Sequence, residues 1–307
     1  MKTYTAAVRD YPYTTPVKSG ARAPENCRVE FPEIEPIHRA FAPMVRELKF
    51  DFCELALVTY LQAREAGIEL SALPLALHGN FHHRSICQMV SGPIKSPKDL
   101  AGKRVGVRAY TQTTGMWVRG LLAEDYGIDP DDITWVTTEG PHVAEYVEPA
   151  NVERTSESLI DLVCSGDIAA VVMGPKAVPA GAPLEPLIQD YKQVEKAWYE
   201  RHRTVPINHL LTVRTELLRE DPEAVRAVYD AFAAEIDAFT ARSEPGPRGY
   251  GHGLTDSIQE ALRLSIDYAA QQHLLAALPP EVGDFQLRLQ PDYPPGGGDS
   301  IVLRPQH

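Results

Sequence analysis

Hydrophobic and polar positions form their clearest pattern in the stretch 95–120. Residues 104–107 are a short run that favours a strand after the turn at 101–102, which predicts a buried strand, and residues 116–122 have helical spacing. Hydroxyl and amide side chains occupy residues 110–114, between these two elements. Such a turn directs the free N–H groups of the next helix toward one point, which suits a carboxylate or a phosphate. The pattern predicts half of a ligand site, with helix capping by the threonines as the alternative.

Similar patterns recur on both sides of this stretch. Short apolar runs predict strands at residues 4–8, 27–31, 50–54, 86–90, 133–136, 168–173 and 207–213, and helical spacing predicts helices at 37–48, 156–163 and 256–276. Another long helix is predicted to begin at Asp221 and Pro222. Residues 175–186 are rich in Pro, Ala and Gly and are predicted to be irregular. The alternation of short strands and helices predicts layered α/β architecture.

Length and charge limit the classes of function. A chain of 307 residues suits one large domain or two medium ones. The net charge of -12 argues against nucleic acid or an anionic membrane as the main partner, because both bind clustered Lys and Arg. A small anionic ligand is still compatible, since one pocket can be positive on an acidic protein. No stretch approaches the roughly 18 apolar residues of a membrane span.

The cysteines give no sign of a metal site or a disulfide framework. Cys27, Cys53, Cys87 and Cys164 are scattered without CxxC spacing, which is typical of small buried side chains in a reducing compartment. The first residues, MKTYTAAVRDY, lack the apolar core and cleavage site of a secretory signal. We therefore predict a cytoplasmic location.

Several longer motifs carry a resemblance to known proteins. The segments KSPKDLAGKRVGV, SGDIAAVVMG and LLREDPEAVRAVYDAF are typical of solute-binding members of the type II periplasmic-binding-protein fold. More narrowly, the chain resembles the 4,5-dihydroxyphthalate decarboxylase family, a cytoplasmic enzyme branch of that fold. The residues that carry this resemblance are FDFCELALVTYLQAREAG (50–67), FHH (81–83), GKRVGVRAYTQTTGMWVRGLLAEDYGI (102–128), ITWV (133–136), HVAEYVEPANV (142–152) and PINH (206–209).

The resemblance implies two α/β lobes with the ligand in the cleft between them. The first lobe would comprise residues 1–92 and 206–307, and the second lobe residues 93–205. The chain also departs from the family, because Tyr13 and Gly79 stand where family members usually carry Arg. Arg9, His78 or Arg84 are alternative cations, so the presence of a second carboxylate on the substrate is left open.

Decarboxylation of a hydroxylated aromatic acid without a cofactor needs a proton donor to the ring and a group that holds the ring hydroxyl. Histidine suits both roles near neutral pH. With the resemblance, His82 and His83 are predicted to face the cleft, one holding the phenol and the other delivering the proton. The alternative is that both are loop histidines bonded to the backbone. Glu54 is predicted to be a general base for a ring hydroxyl, or else a carboxylate at a helix start.

Other polar residues are predicted to bind the substrate. Thr111, Thr113 and Thr114 would hold a carboxylate, and His142 and Glu145 would close over the ligand from the second lobe. Asn208 and His209 lie at the return strand, where ligand contact and a buried hydrogen-bonding pair are both plausible. Arg119 either contributes to the ligand site or forms a structural ion pair with Glu124 or another acid. The remaining predicted contacts are Arg9, Asp10 and Arg84.

Imidazole and carboxylate groups are also the usual ligands of divalent metals. The residues that would supply such a site are Glu54, His82, His83, His142, Glu145 and His209. No HxH or HExxH pattern supports a metal, so we prefer the hypothesis that the protein works without a cofactor.

The leading hypothesis is a decarboxylase whose substrate is 4,5-dihydroxyphthalate, giving protocatechuate and carbon dioxide, or a related hydroxylated aromatic acid. The alternative is a solute-binding protein of the same fold that captures a small anionic carboxylate unchanged. The lack of a signal pattern counts against a transport receptor, and another lyase or hydrolase in the same cleft is a third possibility. The partner is in each case a small molecule, and self-assembly into a homo-oligomer is left open.

Overall fold

The computed structural model describes residues 1–90 and 92–276. Within these residues the strands are β1 (Lys2–Ala7), β2 (Cys27–Glu30), β3 (Phe52–Ala56), β4 (Leu70–Gly79), β5 (Ile86–Met89), β6 (Arg104–Val107), β7 (Thr134–Thr137), β8 (Val152–Arg154), β9 (Ala170–Val172), β10 (Leu184–Pro186), β11 (Ile207–Arg214) and β12 (Gly251–His252). The helices are α1 (Thr15–Lys18), α2 (Phe41–Glu47), α3 (Leu57–Glu65), α4 (Thr113–Tyr126), α5 (Leu159–Ser165), α6 (Tyr191–His202), α7 (Thr215–Glu220), α8 (Pro222–Ala241) and α9 (Asp256–Gln271).

The strands form two mixed sheets, one in each lobe. The first sheet has the order β12-β4-β11-β3-β1-β2, and the second has the order β10-β5-β9-β6-β7-β8. In the first sheet β1 is parallel to β2 and β3, whereas β11 runs antiparallel to both of its neighbours. In the second sheet β6 is parallel to β7 and β9, and β5 is antiparallel to β9. The predicted α/β fold is confirmed.

Helix α8 covers one face of the first sheet. Asp221 caps its start, because the carboxylate accepts a hydrogen bond from the N–H of Ala224 at 3.1 Å, and Pro222 follows as the first helical residue, as predicted. Val228, Phe232 and their neighbours on the apolar face pack against buried residues of the sheet. Burial of side chains of this size contributes about 1.5–3 kcal/mol each to the free energy of folding.

Helix α4 joins the two lobes. Its buried Trp117 donates a hydrogen bond from Nε1 to the carbonyl of Ile207 on β11 at 2.9 Å. Residues 272–276, which we call the seam segment, follow α9 and contact both lobes. Gln272 bonds to Arg119 and Met116 of α4, and the carbonyl of Leu274 accepts from Gln62 of α3. These contacts fix the start of α4 against the first lobe.

Two local predictions differ from the structure. Residues 184–186 are not irregular, because they form an edge strand antiparallel to β5. Helix α6 was not predicted, since only Trp198 of its residues is buried and its apolar face is completed only by the partly buried Tyr191 and Val194. By contrast, the strand at 104–107 and a helix over 116–122 are both confirmed, the latter as part of α4.

The change from one sheet to the other lies earlier than the predicted lobe boundary at residue 92. Strand β5 belongs to the second sheet, so the chain leaves the first sheet after Gly79 and enters the second at Ile86. Residues 277–307 of the predicted first lobe lie outside the described residues. Across residues 1–90 and 92–276, no helix combines the length and the apolarity that crossing a membrane requires.

Candidate functional site

Glu54, the middle residue of β3, lies at the centre of the candidate site. Its side chain is fully buried. The carboxylate accepts hydrogen bonds from the backbone N–H of Arg9 at 2.9 Å, the hydroxyl of Tyr11 at 2.8 Å and Nδ1 of His209 at 2.6 Å. Glu54, predicted to be a general base or else a carboxylate at a helix start, is thus bonded to groups from two other segments of the chain.

The register of the strands explains why these side chains meet. His209 on β11 is paired with Ala56 on β3 and with His78 on β4. Residues two apart on a strand point to the same face, so Glu54 is the diagonal neighbour of His209. Glu54, His209 and His78 therefore form a row across three adjacent strands, which we call the cleft row.

Hydrogen bonding decides the ionisation of Glu54. Burial is the largest single effect and raises the pKa of its carboxyl, but the hydrogen bond and charge of His209, the N–H of Arg9 and the hydroxyl of Tyr11 together outweigh it. The net pKa is lowered, so Glu54 is a carboxylate at neutral pH. Burial and the charge of Glu54 raise the pKa of Tyr11, whose hydroxyl therefore stays protonated and donates.

Aromatic rings border the cleft row. The ring of Phe41 meets those of His209 and His142 edge-on, with centroids 5.4 Å and 5.6 Å apart. Tyr11 stacks on His78 at 5.8 Å, and His78 lies 5.5 Å from His209. Flat apolar walls with polar edges suit a planar aromatic ligand.

The other histidines near the row are uncharged at neutral pH. Burial lowers the pKa of His78 to about 4, helped by the positive charge of His209. Burial, followed by the charge of Arg108, lowers the pKa of His142 and of His38 to about 4 as well. Each of these rings therefore offers one N–H donor and one acceptor nitrogen.

Two helix starts converge beside the row. Helix α3 begins directly after β3, and its N-cap, Ala56, has no side chain that can accept a hydrogen bond. Thr113, the first residue of α4, accepts the N–H of Val58 at 3.2 Å and so caps α3 rather than its own helix. The N-cap of α4, Gln112, makes no side-chain capping bond. Free N–H groups at a helix start favour an anion.

A buried positive charge lies one turn inside α4. Arg119 is fully buried and donates from Nε to Gln272 at 2.7 Å and from Nη2 to the carbonyl of Tyr110 at 2.7 Å. Its guanidinium also lies 4.0 Å from the ring centroid of Tyr110. The predicted ion pair with Glu124 is wrong, since Glu124 bonds to other residues. The charge of Arg119 instead adds to the positive end of α4.

The structure brings several predicted residues to this place. Asn208 joins two of them, because its Oδ1 lies 2.9 Å from Nε2 of His82 and its Nδ2 donates to Thr114 at 3.3 Å. His142 bonds through Nδ1 to the hydroxyl of Thr59 at 2.8 Å. Thr111 is buried close to the start of α4, and within the described part of the chain its hydroxyl has no hydrogen-bond partner.

Other predicted residues lie apart from the cleft row. His83 is buried with Nε2 at 3.5 Å from Asp125, and Glu145 is exposed in a surface pocket that includes Glu65 and His273. Asp10 is exposed and pairs with Lys18, and Arg84 is half-buried in the 3-10 turn that begins at His83. The backbone of Arg9 reaches Glu54, whereas its side chain lies over the ring of Tyr11 at 5.5 Å.

Tyr11, Phe41 and His38 were not predicted as site residues. Tyr11 lies in the loop after β1, and its place at the end of a strand is a signal that points to a cleft. Phe41 has the helical spacing of a core residue and is indeed buried, so the sequence gives no sign that its ring edge also faces two histidines.

Both positions that depart from the family pattern pack against the loop before β12. Tyr13 is buried, donates to the carbonyl of Leu77 at 2.6 Å and stacks on Tyr250 at 4.7 Å. A Cβ on Gly79 would lie 2.3 Å from the carbonyl oxygen of Pro206 and 2.8 Å from that of Gly249. A side chain at position 79 would therefore require movement of both of these segments.

No group of three or more His, Cys, Asp and Glu side chains is arranged to hold a metal in the described ranges, 1–90 and 92–276. Glu54 and His209 form a pair, and His82, His83, His142 and Glu145 do not join them. The residues at the site thus offer acid–base and hydrogen-bonding groups to a ligand.

Comparison with known proteins agrees with the sequence resemblance. Residues 35–156 match the family model described as NMT1/THI5 like. A protein of Comamonas testosteroni named 4,5-dihydroxyphthalate decarboxylase is 33% identical over 61% of this chain, and one of the same name from Pseudomonas putida is 31% identical over 50%. The alignments span 61% and 65% of the lengths of these two relatives, which is less than two thirds of each.

Solved structures show the same fold at low sequence identity. The aliphatic sulphonate binding protein SsuA of Escherichia coli has a TM-score of 0.59 and 13% identity, with 90% of this chain and 94% of that chain covered. The alkanesulfonate-binding protein SsuA of Xanthomonas axonopodis pv. citri, bound to MOPS, has a TM-score of 0.54 and 14% identity, with 90% of this chain and 93% of that chain covered. The desulfurization enzyme DSZB has a TM-score of 0.51 and 17% identity, with 90% of this chain and 94% of that chain covered. The chain therefore has the two-lobed type II periplasmic-binding-protein-like fold and is related in sequence to proteins named 4,5-dihydroxyphthalate decarboxylase.

Proposed function

We propose that the protein is a carboxy-lyase that removes a carboxylate from a hydroxylated aromatic acid, 4,5-dihydroxyphthalate or a related compound, without a cofactor. The observation that carries the proposal is the ionised Glu54 bonded to His209 at 2.6 Å, bordered by the aromatic rings of Phe41 and Tyr11. The relatives named 4,5-dihydroxyphthalate decarboxylase support it.

The reaction is a replacement of carbon dioxide by a proton. A proton adds to the ring carbon that carries the carboxylate, the carbon–carboxylate bond breaks, and its electron pair restores the aromatic ring. The ring hydroxyl supplies electron density to the protonated carbon. The balance requires one proton and no oxidant or reductant, so acid–base groups are sufficient.

The starts of α3 and α4 are the proposed grip for the carboxylate. N–H groups at both starts, the hydroxyl of Thr114 and the buried charge of Arg119 favour an anion there. The flat walls formed by Phe41 and Tyr11 would hold the ring beside the cleft row. Loss of the carboxylate then removes the group that the helix starts bind, which favours release of the product.

The alternative function is capture of a small anionic carboxylate without chemistry. It is favoured by the fold, since the SsuA proteins are named for binding sulfonates and a helix start alone is able to bind an anion. The cleft row of Glu54, His209 and His78 favours the enzyme, because binding alone seldom needs a carboxylate–imidazole pair beside the ligand. A cytoplasmic location is part of the enzyme proposal and rests on the family resemblance.

Carbon dioxide release tests the proposal. Protein freed of metal with a chelator is incubated with a panel of hydroxylated benzoates and phthalates, and the product is identified by mass. We expect release from one or more members of the panel, and the same rate after divalent metal is added back. Calorimetric binding of these acids without any release, with or without metal, would support the solute-binding alternative and refute the enzyme.

A further inference from the structure

We propose that His209, rather than His82 or His83, delivers the proton to the ring, and that Glu54 is the residue that positions it. This inference rests on the proposed decarboxylase function and adds the identity of the proton donor. It departs from the roles that the sequence predicts for the two adjacent histidines.

Access to the cleft separates His209 from the other candidates. The side chain of His209 is 16% exposed, and its Nδ1 is bonded to Glu54, so Nε2 is the nitrogen available to a ligand. His82 is buried with Nε2 bonded to Asn208, and His83 is buried beside Asp125. A proton donor must reach within about 2.6–3.2 Å of the accepting atom, directly or through one water, which the exposed ring edge of His209 permits.

Charge also separates His209 from its neighbours. A buried carboxylate needs a cation nearby, and in the described ranges His209 is the one side chain that forms an ion pair with Glu54. His78 and His38, which also face His209, have pKa values lowered to about 4 and hold no extra proton at neutral pH. The other charged or titratable groups around these histidines include Arg9, Tyr11, His142, Arg39, Arg108 and Lys176.

Glu54 itself is poorly placed to exchange protons with a ligand. It is fully buried, and its two oxygens already accept three hydrogen bonds. Because Glu54 is ionised, the proton between it and His209 belongs on Nδ1 of the imidazole. That tautomer leaves Nε2 to carry the proton that is transferred, and holds the ring in one orientation. Glu54 thus acts through His209.

In the proposed step the N–H bond at Nε2 of His209 breaks and a C–H bond forms at the ring carbon that carries the carboxylate. The positive charge passes from imidazolium to the ring, and cleavage of the carbon–carboxylate bond cancels it as carbon dioxide departs. His209 is left neutral and regains a proton from water. The charge of Glu54 stabilises the imidazolium at the start of the step.

Hydrogen exchange in the decarboxylated product reports on the proton donor directly. By microscopic reversibility, the enzyme in D2O with dissolved carbon dioxide should carboxylate the product, remove the hydrogen at that ring carbon and return deuterium on decarboxylation, which proton NMR follows as loss of one signal. We expect His209→Gln to slow this exchange and carbon dioxide release by roughly 10²-fold or more. Calorimetric affinity for the acid should change by only a few fold.

His273→Gln is the matched control, because His273 also pairs with a carboxylate, that of Asp131 at 3.0 Å, but is exposed and remote from the cleft row. It should exchange and release at the rate of the unaltered protein. If His209→Gln still releases carbon dioxide and exchanges hydrogen at the normal rate, the assignment of His209 is wrong, although the proposed decarboxylase function is not affected. The same conclusion would follow if His82→Gln alone lost both activities. No release by the unaltered protein would overturn both.

The positioning role of Glu54 has its own readout. Glu54→Gln keeps the size of the side chain and one accepting oxygen but removes the charge that stabilises protonated His209. The activity should therefore be lost at lower pH on the alkaline side of the kcat profile than in the unaltered protein. A profile of unchanged shape and position, with only a lower plateau, would show that Glu54 has a structural role alone and would overturn this part of the proposal.

Discussion

The seam segment offers a sharp test of how the two lobes are held together. Gln272 is buried, accepts a hydrogen bond from the guanidinium of Arg119 at 2.7 Å and donates one to the carbonyl of Met116 at 3.0 Å. Gln272→Leu keeps a side chain of similar bulk but removes both hydrogen bonds. Arg119 would then retain only the carbonyl of Tyr110 and its ring contacts inside the core.

The expected loss follows from these contacts. A hydrogen bond to a charged group contributes about 1.5–3 kcal/mol, and the neutral one to Met116 adds about 1 kcal/mol. We therefore expect Gln272→Leu to lower the free energy of unfolding by about 3 kcal/mol, which is a large part of the stability of an ordinary domain. Urea unfolding followed by tryptophan fluorescence measures this change, since Trp117 and Trp135 are fully buried in the same core.

The adjacent residue supplies a matched control. Gln271 is exposed at the end of α9, so Gln271→Leu makes the same chemical change without touching Arg119. Surface changes of this kind stay within about 0.5 kcal/mol of the unaltered protein. Equal unfolding midpoints for the two leucine variants would refute the argument that Gln272 satisfies the buried charge.

Three further predictions concern the site and its surroundings. Thr114→Val should weaken binding of the aromatic acid by about 1 kcal/mol or more by calorimetry, and unchanged affinity would remove Thr114 from the carboxylate grip. Gly79→Ala should lower the free energy of unfolding in urea by about 1–3 kcal/mol, because its Cβ would meet Pro206, whereas Gly174→Ala, with open space around it, should not. Burial raises the pKa of Glu124, but hydrogen bonds from His202, Tyr268 and Arg201 and the charge of His202 together outweigh burial and lower the pKa to about 2. The stabilisation that Glu124 provides is therefore complete above its ordinary pKa and is lost as pH falls toward 2. The stability difference between Glu124→Gln and the unaltered protein should accordingly shrink from pH 5 to pH 2.5, and a constant difference would contradict the shifted pKa.

Local pattern predicted much of the fold. Strand β6 was predictable because an apolar run lies between two polar turns, and α8 because its cap and its hydrophobic period agree. Helix α6 was not predicted because its face toward the protein buries a single residue, Trp198. Edge strand β10 escaped because its Pro-containing sequence is typical of loops, and only pairing with β5 makes it a strand.

The candidate site was less accessible to prediction from sequence. Glu54 was recognisable as a carboxylate at the end of a strand, but its bond to His209 depends on the register between strands that lie far apart in the chain. His82 and His83 suggested a catalytic pair because the family resemblance and their place in a loop after a strand predicted that they face the cleft. In the structure adjacent side chains at the start of a 3-10 turn point to different neighbours, Asn208 for one and Asp125 for the other.

The place of β11 in the first sheet has a consequence for synthesis of the chain. Its neighbours are β3 and β4, which come much earlier in the sequence, so the first sheet stays in two pieces until Arg214 has left the ribosome. All strands of the second sheet lie between Ile86 and Pro186 and are available sooner. The lobe that begins the chain is therefore the last to complete its sheet. During synthesis Glu54 therefore has no ion-pair partner until His209 has been made.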